Sequence, residues 1–326
     1  MQIEVFTISG LRNLMLVTLL FAFTACQRST KPIVAVIPQT TAQEIWESEH
    51  AGAMRAAREH GWNVYWNGPS REDDLLRQIQ IVNNAVSRGV LGLVLAPDHA
   101  VALISPVRNA LVHGIPVVIV SSPIGMSPSQ NVMFVVNDNR ASGQIVADRA
   151  AMYLSRGDTV AVFGVNPNVL GSIDTSDALE GALRNRIAGV TILERRSTSF
   201  SFAEAEETAE EAIRSLPTLR VIVTLNVTQT RAAYVALSRT DALHRVKLIA
   251  CNQDLDLVFH LRAGEIDAIV AQNTMRMGEE AIAMIQRYRQ GDRKDLTAVV
   301  EPVLVTAQNV DSAEVQKVLD MKWRVE

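Results

Sequence analysis

Cysteine, aromatic residues and excess charge are all scarce in this 326-residue sequence. Its two cysteines, Cys26 and Cys251, are too few for the disulfide framework that stabilises small exported domains. Aromatic residues make up only 5% of the chain, which disfavours a base-stacking surface. The formal net charge of -4 lacks the basic excess of nucleic-acid-binding proteins. The fold must therefore depend on its apolar core, and no nucleic-acid partner is expected.

Enzyme motifs are also missing. The sequence contains no GxGxxG or GxxxxGK[ST] phosphate-binding loop, no GxSxG nucleophile elbow and no HExxH metal motif. The six histidines are scattered, and Cys251 has no obvious base beside it, which favours a small buried residue over a nucleophile. We therefore expect no enzymatic activity, no catalytic residue, no cofactor and no metal. An enzyme of the cell envelope is the alternative.

The N-terminus carries a short apolar segment. The run from Leu14 to Ala25 has about a dozen residues, whereas a membrane span needs about 20. Arg12 precedes the run and small residues end it, which predicts a signal peptide over residues 1–25. The sequence Phe23-Thr24-Ala25-Cys26 resembles a bacterial lipobox, which implies acylation of Cys26 and a lipid-anchored tether over residues 26–31. A cleaved leader with an incidental cysteine and an uncleaved anchor helix are the alternatives, and each exports the body to the cell envelope.

Short apolar runs alternate with helical patterns in the rest of the chain, whose hydrophobic content is 48%. Most runs are continuous and β-branched, as in strands that are buried on both faces of a parallel sheet. The helical patterns place apolar residues on one face, as in Leu75, Ile79, Val82 and Val86 or in Met277, Ala281, Met284 and Tyr288. The predicted strands are Ile33-Pro38, Trp62-Trp66, Leu91-Leu95, Pro116-Val120, Val132-Val136, Thr159-Gly164, Val190-Leu193, Arg220-Leu225, Val246-Ala250 and Ala268-Ala271. They predict an α/β fold of two doubly wound parallel-sheet lobes.

Polar side chains follow one predicted strand after another, where ligands bind to open α/β sheets. They are Gln39, Thr40, Thr41, Asn67, Ser121, Ser122, Asn137, Asp138, Asn166, Asn168, Asn226, Asn252, Gln272 and Asn273. Amides and hydroxyls that converge on one cleft suit a neutral ligand with many hydroxyl groups. Trp46 could offer a flat wall to a sugar ring. Helix capping and turn formation are the alternative for each residue.

Two groups of charged residues have a structural interpretation. Asp98 is predicted to cap a helix that begins at Val101. A second group is predicted to form the solvated face of the first helix: Glu47, Glu49, Arg55 and Arg58.

From Ile33 to about Glu301, the chain resembles the ribose-binding-protein-like branch of the type I periplasmic binding proteins. The matching pieces are Thr40-Thr41-Ala42-Gln43 with Trp46; Ala51-Gly52-Ala53; Arg77-Gln78-Ile79; Gly92-Leu93-Val94-Leu95-Ala96-Pro97; Gly114-Ile115-Pro116-Val117-Val118; Asn137-Asp138-Asn139; Asn226; Arg262-Ala263-Gly264-Glu265-Ile266-Asp267-Ala268; and Gln272 with Met275-Arg276-Met277-Gly278. The resemblance implies a hinge with three crossings. It implies an N-terminal lobe over residues 32–136 plus 273–298 and a C-terminal lobe over residues 137–272 plus 299–326.

The resemblance also implies the ligand contacts. Gln43 and Trp46 would come from the N-terminal lobe, Asn137 and Asn226 from the C-terminal lobe, and Gln272 from a hinge crossing. The chain departs from the family where charged residues commonly hold a sugar. Ser121-Ser122 replaces an Asp-Arg pair, Ala178 an arginine, Cys251 an aromatic residue and Asn252 an aspartate. Ser121, Ser122 and Asn252 complete the predicted site.

The resulting hypothesis is an extracytoplasmic solute-binding protein that closes around a sugar or polyol and delivers it to an ABC permease. The expected partners are the small-molecule ligand, the permease and, through the lipid anchor, the membrane, and the protein itself is expected to be a monomer. A ligand-sensing receptor subunit for a chemoreceptor or sensor kinase is the main alternative. A transcription regulator with the same lobes would need a helix-turn-helix where the leader stands.

Overall fold

A computed structural model describes residues 31–319. The predicted leader (residues 1–25), the predicted acylation site Cys26 and tether residues 27–30 lie outside the described residues. Residues 33–319 belong to one compact unit. No helix within residues 31–319 combines the length and hydrophobicity needed to cross a bilayer.

Two six-stranded sheets form the centres of two lobes. The strands are β1 (Ile33–Ile37), β2 (Asn63–Trp66), β3 (Gly92–Leu95), β4 (Val117–Ser121), β5 (Val132–Asn137), β6 (Thr159–Val165), β7 (Thr191–Arg196), β8 (Leu219–Thr224), β9 (Lys247–Cys251), β10 (Ala268–Ala271), β11 (Thr297–Val300) and β12 (Val303–Val305). The first sheet has the order β11-β5-β4-β3-β1-β2, and the second has the order β12-β10-β9-β8-β6-β7. Only the β10–β12 pair is antiparallel among the described strands. The predicted α/β fold with two doubly wound lobes is confirmed.

Helices cover both faces of each sheet. They are α1 (Glu44–Glu59), α2 (Leu75–Ser87), α3 (Ile104–Val112), α4 (Asn139–Ala151), α5 (Leu170–Arg186), α6 (Phe202–Ser215), α7 (Val227–Arg239), α8 (Leu255–Arg262), α9 (Thr274–Arg289) and α10 (Ala313–Leu319). Each sheet is therefore enclosed between two apolar clusters, which is why strands such as β3 and β6 are buried along their whole length.

One buried amide connects the strand ends to the helix layer. Gln78 lies on the apolar face of α2 and is fully buried. Its Nε2 donates to the carbonyls of Pro38, at 2.9 Å, and Ala96, at 2.8 Å. Its Oε1 accepts from the backbone nitrogen of Asp98 at 3.0 Å. All the polar atoms of this side chain are paired, so it aligns the ends of β1 and β3 at a small energetic cost.

The charged face predicted for α1 needs a correction at Glu49. Arg55 and Arg58 are exposed, as expected, but Glu49 is fully buried. Its two carboxylate oxygens have no hydrogen-bond partner within the described part of the chain. Burial raises the pKa of Glu49 from 4.5 to about 8, because a low-dielectric interior disfavours the charged form.

The chain crosses between the lobes three times. It passes from β5 to α4 near Asp138, from β10 to α9 near Asn273, and from β11 to β12 between Val300 and Val303. β11 pairs with β5 through the Val300–Asn137 register, so it belongs to the first sheet up to Val300. The boundary suggested between residues 298 and 299 therefore falls inside β11.

Candidate ligand-binding site

One cavity lies between the lobes at the carboxyl ends of both sheets. All eight predicted site residues line it: Gln43, Trp46, Ser121, Ser122, Asn137, Asn226, Asn252 and Gln272. Its volume is about 100 Å³, counted as the space open to the centre of a water molecule. One water needs about 10–15 Å³ on the same measure, so the space matches a small solute.

The first lobe supplies an aromatic wall beside an amide. Gln43 immediately precedes α1, and Trp46 lies in the first turn of that helix. Trp46 is 5% exposed and packs against the core of the first lobe while lining the cavity. Its indole Nε1 has no hydrogen-bond partner among residues 31–319. A flat apolar face with one free donor suits a ring that carries hydroxyl groups.

Two polar residues at equivalent strand ends have left-handed backbones. Ser121 ends β4 with φ 65°, and Asn252 follows β9 with φ 74°. Such a conformation is uncommon outside glycine and is concentrated at functional sites. The Oδ1 atom of Asn252 is buried without a partner in the described structure. Both residues therefore direct polar groups to the cavity at the cost of local strain.

Asn137 and Gln272 join two of the hinge crossings. The Nδ2 atom of Asn137 donates to Gln272 Oε1, and also to Ser121 Oγ at 3.3 Å. Asn137 is the last residue of β5, so it belongs to the first lobe and not to the C-terminal lobe that the sequence implied. Gln253 holds the backbone of Gln272 through two hydrogen bonds, of 2.7 and 3.0 Å. The Oδ1 atom of Asn137 is buried and has no partner within residues 31–319.

Ser122 and Asn226 each cap a helix at the cavity wall. The Oγ atom of Ser122 accepts from the backbone nitrogen of Gly171 at 2.9 Å. Ser122 belongs to the first lobe and Gly171 to α5 of the second, so this cap crosses the cleft. Asn226 caps α7 within the second lobe by accepting from Gln229 N at 2.9 Å. The sequence left helix capping and ligand contact as alternatives for such residues. In the structure, Ser122 and Asn226 each cap a helix and also line the cavity.

Other lining residues were missed from the sequence. Phe200, Ser172 and Thr175 come from the second lobe, and Glu72 comes from the loop before α2, whereas Asn166, which the sequence placed after a strand, lines the cavity as expected. Glu72 is 7% exposed, and burial, together with the nearby Asp98 and Asp73, raises its pKa to about 8. Glu72 follows the turn-forming Gly68-Pro69-Ser70 segment and precedes two aspartates, a polar pattern that carries no local signal of burial.

The role predicted for Asp98 is wrong. His99 Nδ1 accepts from the backbone nitrogens of Val101 and Ala102, at 3.3 and 3.2 Å, so His99 caps this turn instead. The regular helix α3 begins only at Ile104. Asp98 is 7% exposed, and burial, with smaller contributions from Asp73 and Asp74, raises its pKa to about 7. Cys251 is buried as predicted, and burial raises its pKa to about 12, so its thiol stays neutral.

Two lobes that meet around a polar cavity define a class of ligand-binding proteins in which three crossings allow the lobes to open and close. Comparison with known proteins agrees. The model of the family described as periplasmic binding protein domain matches residues 34–293. The chain therefore belongs to the periplasmic binding protein family, whose members bind solutes and are not enzymes.

Curated relatives cover most of the chain. A D-ribose/D-allose-binding protein of Pseudomonas aeruginosa is 25% identical over 291 residues, which is 85% of this chain and 89% of the relative. A D-apiose import binding protein of Actinobacillus succinogenes is 20% identical over 283 residues, with the same shares of 85% and 89%.

Solved structures show the same fold. A carbohydrate transporter solute-binding protein of Agrobacterium radiobacter, in complex with D-arabinose, has a TM-score of 0.82 and 21% identity and covers 89% of this chain and 99% of its own. An ABC transporter solute-binding protein of Agrobacterium vitis with bound D-fucose also has a TM-score of 0.82, with 23% identity, and covers 88% and 99%.

Proposed function

We propose that this protein captures a sugar or polyol in the cleft between its lobes and delivers it to an ABC permease. The observation that carries the proposal is the convergence of eight polar or aromatic side chains from both lobes on one cavity. The relatives whose names specify ribose, allose and apiose, and the neighbours bound to arabinose and fucose, support a sugar as the ligand.

Hinge closure provides the mechanism. The described structure has the lobes in contact through hydrogen bonds from Ala100 N to Asn168 O at 2.8 Å and from Gly171 N to Ser122 Oγ at 2.9 Å. A ligand that contacts both lobes only in this arrangement shifts the equilibrium towards it by its difference in affinity for the two states. The permease would then recognise the closed shape.

The proposal extends to the cell envelope. The sequence pattern up to Cys26 supports a signal peptide and a lipid anchor that keeps the protein near its permease. A monomer would suffice, because both walls of the cavity come from one chain. Labelling with a radioactive fatty acid, followed by the same labelling of a Cys26→Ala variant, tests the anchor. Incorporation that survives the substitution would contradict it.

Ligand capture is tested with two residues that share one backbone conformation. Asn252 in the cleft and the exposed Asp241 outside it both have positive φ, of 74° and 52°. Glycine accepts that conformation, so each can be replaced without adding strain. Asn252→Gly should weaken sugar binding about tenfold through loss of a buried hydrogen bond, whereas Asp241→Gly should leave it unchanged. Isothermal titration calorimetry measures both.

Small-angle scattering of the wild-type protein tests hinge closure in the same samples. The radius of gyration should fall when a sugar that binds by calorimetry is added. A sugar that binds without compaction, or equal affinities of Asn252→Gly and Asp241→Gly, would contradict the proposed mechanism.

A further inference from the structure

Among the described residues, the charged side chain that lines the main cavity is acidic. No lysine, arginine or histidine is among the described residues that line the main cavity. Glu72 is its acidic group, and the buried Cys251 thiol stays neutral because its pKa is about 12. A second cavity shares Asn166 and Phe200 with the first, and its first-lobe lining includes Asp98, Asp73 and His99. The two cavities therefore adjoin at Asn166 and Phe200, and the carboxyl groups that line them all come from the first lobe.

Glu72 and Asp98 are buried without a basic partner. Each is 7% exposed. The Gln43 side chain hydrogen-bonds to Glu72, and the charged neighbours that shift the pKa of Asp98 are the acidic Asp73 and Asp74. The nearest arginine of this loop, Arg71, is occupied by Asp73 through bonds of 2.9 and 2.7 Å. Asp and Glu are rarely buried without a charged partner. A cationic group bound beside Glu72 and Asp98 would therefore stabilise both carboxylates.

The opposite wall cannot supply that cation. The second-lobe residues facing Asp98 and Asp73 are Asn166, Asn168, Thr198, Ser199 and Phe200, all of them uncharged. Asn137 Oδ1 and Asn252 Oδ1 add two buried acceptors without donors within residues 31–319. The cavity also holds one unpaired donor, Trp46 Nε1, but no described lysine, arginine or histidine lines it, and this lack of a cation disfavours carboxylates and phosphates.

We propose that Glu72 and Asp98 select ligands that carry a protonated amine, namely amino sugars or amino polyols, over neutral sugars and sugar acids. This inference rests on the proposed function and refines its ligand class. The hydroxyl groups would face the amides of Asn137, Asn226 and Asn252, and the ammonium group would face the two carboxylates. Hydrogen bonds between charged groups are about twice as strong as neutral ones. Phe200 lines both cavities and can add a cation–π contact.

Matched sugars test the selection by charge. The probes are neutral aldohexoses, their 2-amino-2-deoxy counterparts and their uronic acids, for example D-glucose, D-glucosamine and D-glucuronate, each measured by calorimetry at pH 7 with the wild-type protein. In at least one set the amino member should bind about tenfold more tightly than the neutral member, and no uronic acid should bind. Neutral sugars that bind as tightly as their amino counterparts in every set would overturn this inference while leaving the proposed function intact. Absence of binding by every amino member would overturn this inference, and absence of binding by neutral pentoses, hexoses and polyols as well would overturn the proposed function.

Variants locate the selection on the two carboxylates. Glu72→Gln and Asp98→Asn keep the side-chain shape and remove the charge. Each should reduce the ratio of the affinities for the amino and the neutral sugar, Glu72→Gln by about tenfold. Glu180→Gln is the control, because Glu180 lies on α5 outside both cavities and pairs with Arg184. An unchanged preference in both cleft variants would overturn the assignment.

Proton release gives a second readout. Around Glu72 the charged or titratable groups are Arg71, Asp73 and Asp74 of its own loop and Asp98 and His99 of the neighbouring one. Among the described residues of the second lobe that line the two cavities, the titratable group is Cys251, whose thiol stays neutral because burial raises its pKa to about 12. Burial raises the pKa of Glu72 to about 8, so an ammonium group that binds beside it at pH 7 should expel its proton. The binding heat should therefore depend on the ionisation enthalpy of the buffer, and Glu72→Gln should reduce that dependence. Calcium chloride that competes with the amino sugar would instead indicate an inorganic cation site and overturn the proposal.

Discussion

The two lobes repeat one architecture with different chemistry at equivalent positions. Each crossing helix, α9 in the first lobe and α4 in the second, packs closely on the helix that follows the first strand of its sheet, α1 or α5. The fifth residue of each crossing helix is a glycine, Gly278 or Gly143. A Cβ atom on Gly278 would overlap the Glu49 carbonyl, and one on Gly143 would overlap the Thr175 carbonyl. Glu49 and Thr175 are in turn the sixth residues of α1 and α5.

The side chains at these matched positions differ in how they are satisfied. Thr175 Oγ1 donates to the carbonyl of Gly171 at 2.9 Å, so its hydroxyl is paired. The carboxylate of Glu49 is buried without a partner in the described chain. The comparison teaches that backbone packing constrains both lobes alike, whereas the polar groups have diverged. The buried acids Glu49, Glu72 and Asp98 of the first lobe form no ion pair within residues 31–319, whereas the buried acid of the second lobe, Asp254, pairs with Arg231 at 3.1 Å.

The largest expected effect comes from filling the two glycine contacts. Gly278→Val and Gly143→Val should each destabilise the protein by about 3 kcal/mol or more, because a side chain there meets backbone that cannot move aside. Thermal unfolding followed by circular dichroism measures both variants. Gly181→Ala is the control, since nothing lies within 4 Å of a Cβ at that site in α5. A stable Gly143→Val beside an unfolded Gly278→Val would break the equivalence of the lobes.

The second prediction concerns the difference between Glu49 and Thr175. The pKa of Glu49 is raised from 4.5 to about 8 in the fold, so folding favours its neutral form. The carboxyl therefore contributes no penalty below pH 4.5, and its penalty grows as the pH rises to about 8 and is constant above that. Glu49→Gln removes the ionisation, and its stability relative to the wild type should increase over the same pH range.

Melting temperatures at several pH values test this prediction. Glu59→Gln, at the exposed end of α1, is the control for loss of one carboxylate and should show no such trend. A difference between Glu49→Gln and the wild type that is the same at pH 5 and pH 8 would show that the carboxyl ionises as freely in the fold as in the unfolded chain.

The strands could be predicted because burial on both faces leaves a simple trace in the sequence. Runs such as Leu91-Leu95 and Val246-Ala250 coincide with β3 and β9 to within one residue. The edge strands β11 and β12 were missed, since they have only four and three residues, are largely half exposed or exposed, and flank Pro302. Their pairing depends on neighbours that are distant in the sequence, Asn137 and Ile269 among them.

The cavity could be predicted in part for a similar reason. Polar residues that follow parallel strands must gather at one sheet edge, so Asn137, Asn226 and Asn252 were identified from position alone. Glu72 and Phe200 lie in loops whose course depends on the other lobe, and no local pattern distinguishes them from solvated residues. Glu49 was missed because burial at a helix crossing depends on Gly278, 229 positions further along the chain.

The smallest expected effect separates a cap between lobes from a cap within one. Ser122 Oγ reaches Gly171 only when the lobes are together, whereas Ser312 caps α10 of the second lobe by accepting from Val315 N at 3.3 Å. Ser122→Ala should weaken ligand affinity about fivefold, because about 1 kcal/mol is lost from the closed state alone. Ser312→Ala should lower the melting temperature without changing the affinity. If Ser122→Ala binds ligand as tightly as the wild type, water replaces the hydroxyl in the closed cleft, and closure depends on the ligand rather than on this contact between the lobes.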